Sequence, residues 1–216
     1  MKKNYVMRFA AVLLVLVLLS TCVVSGTFAK YVTSDDAQDE ARVAKWGVTV
    51  TVTGDDAFKT AYDGSVQSST SDDVVAPGTS GTLATLSITG TPEVDVNIKY
   101  EATLTLTGWE IGDPATEYCP LVFNVKGTEY KIDGSTITTV EQLETAVVNA
   151  IATYAENIEA GTDLSSIDDI AISWSWAIGT SDDVNDTVNK NDTALGNLST
   201  APTIDFSLTV TVTQID

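Results

Sequence analysis

The stretch VDVNIKYEATLTLT, residues 94–107, alternates along its whole length. Val94, Val96, Ile98, Tyr100, Ala102, Leu104 and Leu106 occupy one set of positions, and Asp95, Asn97, Lys99, Glu101, Thr103, Thr105 and Thr107 the other. Successive side chains of a strand point to opposite faces, so this strand buries one face and wets the other. Antiparallel sheets tolerate that arrangement, whereas strands of parallel sheets read as unbroken apolar runs.

Working outward, the same period recurs. Trp46, Val48, Val50 and Val52 share a face, as do Ile172, Trp174, Trp176 and Ile178, and again Ile204, Phe206, Leu208, Val210 and Val212. Shorter strands are predicted at Leu83–Thr89, after the turn Ala76-Pro77-Gly78, and at Leu121–Val125 and Tyr130–Ile132 around a hairpin at Lys126-Gly127-Thr128. One segment departs from the pattern. Val140, Leu143, Val147, Ile151, Tyr154 and Ile158 recur at helical spacing, Thr138/Glu141 and Thr139/Gln142 fit capping boxes, and Gly161 can end the helix. The expected fold is mainly β: an antiparallel β-sandwich, jelly-roll or immunoglobulin-like, spanning residues 46–216 with one helical insertion near 139–160. Its predicted core includes Val96, Ile98, Leu104, Trp174, Trp176, Phe206, Leu208 and Val210.

The chain opens differently. Lys2, Lys3 and Arg8 precede an apolar run from Phe9 to Leu19, followed by small residues at Thr27 and Ala29. This is the layout of a secretory signal over residues 1–29, cleaved between Ala29 and Lys30, and the run is short for a membrane-spanning helix of ~20 residues. A retained anchor is the alternative, and Leu19-Ser20-Thr21-Cys22 offers a lipoprotein processing site as another. On cleavage three cations and no acid depart, which takes the formal charge from −19 to −22. Such a charge disfavours nucleic acid and anionic lipid surfaces, leaving the membrane as a partner only through the uncleaved signal. With Cys22 gone, Cys119 has no partner for a disulfide. A 44 % apolar composition is enough for one domain with a full core.

Histidine is absent, which removes Ser-His-Asp and Cys-His nucleophile activation and zinc sites with His ligands. The acidic doublets Asp35-Asp36, Asp55-Asp56, Asp72-Asp73, Asp168-Asp169 and Asp182-Asp183 read as solvated loops, because acid–base work needs carboxyls that converge with separated pKa values. No enzyme activity and no cofactor is expected. Oxygen ligands are densest between residues 182 and 192, so Asp182, Asp183, Asp186 and Asp192 are candidate calcium ligands, against an ordinary loop that lacks the EF-hand glycine and closing glutamate. Trp174 and Trp176, on one face of a strand, are either stacked binding rings or core.

The N-terminal residues SGTFAKYVTSDDAQDEARVAKWGV, 25–48, resemble the start of bacterial proteins processed by the SipW-type signal peptidase. Ala76-Pro77-Gly78-Thr79-Ser80, Trp174-Ser175-Trp176, Asn191-Asp192-Thr193-Ala194-Leu195-Gly196 and the terminal Thr213-Gln214-Ile215-Asp216 are similar to the TasA/camelysin family. The resemblance implies a secreted jelly-roll subunit of biofilm-matrix fibres, extracellular or at the cell surface, whose partners are its own copies or related matrix subunits, besides the signal peptidase. It also implies that the N-terminal tail, residues 30–45, adds a strand to the next subunit, with Lys30, Tyr31, Val32, Thr33 and Ser34 as the assembly residues. The tail is equally compatible with a helix capped by Ser34, or with disorder. Two other functions stay open: a non-enzymatic cell-surface binding module, and a divergent camelysin-like peptidase, although an HExxH helix is missing.

Overall fold

A computed structural model describes residues 32–35, 47–54, 57–62, 73–112, 114–179 and 186–215. Residues 1–29, read above as a signal, and Lys30, Tyr31, Trp46, Asp182 and Asp183 lie outside them. Two antiparallel sheets face each other as a sandwich. The first has the order β1 (Val32–Asp35), β11 (Thr203–Gln214), β4 (Val96–Thr107), β9 (Glu156–Ile158). The second runs β2 (Val48–Thr53), β3 (Ser80–Gly90), β10 (Ile170–Trp176), β7 (Leu121–Val125), β8 (Thr128–Tyr130). A small hairpin, β5 (Glu110–Ile111) with β6 (Thr116–Glu117), follows β4.

The alternation of residues 94–107 does what it dictates. Val96, Ile98, Tyr100, Leu104 and Leu106 are buried, and meet Leu121, Phe123, Ile172 and Trp174 of the opposite sheet in one core. Lys126 and Gly127, both at positive φ (47° and 88°), make the two-residue β7–β8 turn, in which the right-handed strand twist favours left-handed central residues. The second strand of this hairpin is therefore Thr128–Tyr130, not Tyr130–Ile132. Gly81 is required by close approach, since a Cβ there would stand 2.0 Å from the Ala57 carbonyl oxygen that accepts from Trp174 Nε1. Phe58 and Tyr62 then pack on the Trp174 ring, which is core and not a binding platform.

Four expectations need correction. The helix, α1 (Val140–Ala152), starts at the predicted Thr139 cap but stops about two turns short of 160. Tyr154 and Ile158 extend the apolar spacing without extending the helix, because Ile158 reaches the same core from β9, opposite Val96. A second helix, α2 (Thr187–Gly196), occupies part of the segment read as a calcium loop. Only Asp192 and Leu195 of it are buried, a face too narrow to give a visible period. Ile178 lies beyond the end of β10 and is 64 % exposed. Phe206 and Leu208 are half-buried, whereas Val210 on the same strand is 1 % exposed.

Candidate assembly edge

β11 decides where the first sheet ends. On one side it pairs with β4 along its whole length, from Thr203↔Thr107 to Gln214↔Val96. On the other side β1 covers only its last third, with Val32↔Thr213, Thr33↔Val212, Ser34↔Thr211 and Asp35↔Val210. Of the predicted assembly residues, Val32, Thr33 and Ser34 thus form a strand on the chain's own sandwich, and Asp35 extends it. Ser34 is in that strand and caps no helix.

The burial along β11 follows its cover. Val210 and Val212, opposite Asp35 and Thr33, are 1 % exposed. Ile204, Phe206 and Leu208 continue the same inward row but remain half-buried, because among the described residues no strand lies beside Thr203–Thr209. The opposite edge of this sheet is covered in two places. β9 pairs with the first residues of β4, and farther along Glu144 Oε1, on α1, accepts the Leu106 N–H at 2.6 Å. Glu117 Oε2 in turn accepts the N–H of Val140, the first helical residue, which anchors the helix start beside β6.

Of the candidate calcium ligands, Asp182 and Asp183 lie outside the described residues, and the other two are engaged within the protein. Asp186 is the N-cap of α2 and accepts the Val188 N–H, while Asp192 is buried and accepts a 2.6 Å hydrogen bond from Tyr118 Oη. Burial, with that hydrogen bond behind it, pushes the Tyr118 phenol well up. Among the described residues no three acidic, Cys or His side chains gather around a cation position. Cys119 is buried and free, and burial pushes its thiol up to about 12, so it is held as an inert apolar group.

Two concavities lie elsewhere among the described residues. A groove of about 780 Å³ crosses the second sheet, floored by Ser80, Thr82, Ser173 and Ser175 between Lys59 and Glu129. A recess of about 360 Å³ at one end of the sandwich holds Tyr100, Lys126 and Tyr154, with Lys126 Nζ 5.4 Å above the Tyr154 ring. Burial, followed by the Glu156 charge, raises the Tyr100 phenol to about 12. The threonine and serine outer faces are plain in the sequence, but their curvature into a groove is not.

Comparison with family models, with curated proteins and with solved structures finds no match for this chain.

Proposed function

We propose that this chain is a secreted structural subunit that assembles into extracellular fibres by passing its N-terminal strand from one copy to the next. The observation that carries the reading is the pairing of β1 with β11: four residues next to the expected cleavage site form the outermost strand of the sheet. A strand bound only at an edge can leave without opening the core, and the ladder it makes in its own chain is the ladder it would make on a second copy. The resemblance of residues 25–48 to SipW-processed fibre proteins supports the same reading. Cleavage after Ala29 would then free the strand from its membrane tether.

Electron microscopy of the processed protein tests it. Fibres are expected, and deleting Lys30–Ser34 should leave a folded chain that no longer elongates. Pro in place of Val32 should act in the same direction by removing a backbone donor. Fibres that form as readily without the strand would overturn donation. The absence of fibres from the intact processed chain would favour the second reading, a cell-surface binding module, which has the hydroxyl-floored groove on the second sheet in its support.

A further inference from the structure

Among the described residues no strand pairs with the outer side of Thr203–Thr209 in β11, and this stretch fits another copy of itself. We infer that Thr203–Thr209 is a two-fold interface at which β11 of one molecule pairs antiparallel with β11 of a second, centred on Phe206. This joint is separate from strand donation, which concerns residues 210–213.

The window is bounded at both ends. Pro202 precedes it and has no N–H to give, and Asp35 of β1 stands opposite Val210 just beyond it. Within it, antiparallel pairing about Phe206 sets Ile204 against the partner's Leu208, Asp205 against the partner's Ser207, and Phe206 against its own copy. Paired residues share a face, so the half-buried inward rows would run together as one apolar strip, Ile204, Phe206 and Leu208 meeting Leu208, Phe206 and Ile204. Covering that row is what β1 already does for Val210 and Val212.

The chain's own tail suits the window poorly. Continued in the register of β1, it would set Asp39 against Phe206 on the inward face. It also runs out of length. β2 starts where Val48 pairs with Gly90, at the end of the sandwich where the loop 91–95 crosses to β4. That is the Thr213 end of β11; Thr203 lies about 35 Å from it at ~3.3 Å per residue. A tail paired out to Thr203 through Arg42 would have residues 43–47 to return with, a reach of about 17 Å. A second copy has no such tether.

Charge sets the conditions. Asp205 is the one charged side chain in the window and would face a serine, but each processed molecule would carry −22 overall. Two copies repel at long range and bring a single acid each to the joint, so salt should strengthen the pairing.

Sedimentation of the processed protein over a concentration series, at low and high salt, reads the association directly. A shift from monomer to dimer that sharpens with salt is expected. Under mild oxidation, Phe206→Cys should give a covalent dimer, with Cys119 buried out of reach. Because Phe206 is half-buried, the double variant Asp205→Cys/Ser207→Cys repeats the test on the outer face, and Ser207→Cys alone should cross-link far less. A protein that stays monomeric at high concentration and salt would overturn the interface. So would equal cross-linking by all three variants, or a dimer that disappears when Lys30–Ser34 is removed, which would assign the window to the tail. Because the two-fold dimer is read in solution and fibres by microscopy, failure of one reading is distinguishable from failure of the other.

Discussion

Glu144 Oε1 stands 2.6 Å from the Leu106 amide nitrogen, placing a helix side chain where a neighbouring strand would offer a carbonyl. Glu144→Ala should cost about 1–3 kcal/mol, since it leaves a backbone donor of a core strand unpaired. Glu144→Gln keeps an acceptor at the same reach and should recover most of the loss. Urea denaturation of both variants measures the difference.

Tyr118→Phe removes the donor to buried Asp192, and the stranded carboxylate should cost about 1–3 kcal/mol in the same assay. The raised phenols of Tyr118 and Tyr100 give a pH signature. A group whose folded pKa lies above its unfolded value adds stability that is complete below pH 10 and is lost as pH rises through the folded value. In an alkaline absorbance titration, Tyr118 and Tyr100 should stay un-ionised to higher pH than a free phenol. Ionisation of every tyrosine in one step near 10 would contradict the burial described for them.

Phe123→Ala and Phe206→Ala should separate the closed and open parts of the sandwich. Phe123 is 0 % exposed, and its truncation should cost about 3–5 kcal/mol. Phe206, only partly buried, should lose less than Phe123, about 2–4 kcal/mol. Equal costs would mean that the β11 edge is covered after all.

Asp133 accepts the N–H groups of Ser135, Thr136 and Ile137 at 2.7–3.1 Å, which lowers its pKa from 3.8 to about 2. A lowered folded pKa adds stability that is present above the unfolded value and lost as pH falls through the folded one, here between about 4 and 2. An NMR titration of the Asp133 carboxyl should find its midpoint near 2. A midpoint near 4 would mean the turn is not formed in solution.

Period-2 alternation located β2, β4, β10 and β11 because each buries one face against a single core, and side-chain chemistry records that directly. It overstated Phe206 and Leu208, since alternation tells which face is inward and not whether a strand lies alongside. β9 was hidden because three residues are too few to show a period. α2 was hidden because its buried face is Asp192 and Leu195, one of them polar and satisfied from Tyr118, 74 positions away in sequence. The residues of β1 stood out in the sequence only by their place beside the expected cleavage site. Their partner on β11 was not legible, because a ladder of backbone groups leaves no mark on side-chain type.

The carboxylate that α1 lends to β4 also hinders a foreign strand at that point of the border. Among the described residues the longer unpaired stretch lies on β11, so side-by-side growth is favoured there over the β4 side. Removing the hindrance, as Glu144→Ala would begin to do, evens the two borders. The cost of losing that one carboxylate would then be felt less in the fold than in the colloid, as a clear solution turning cloudy.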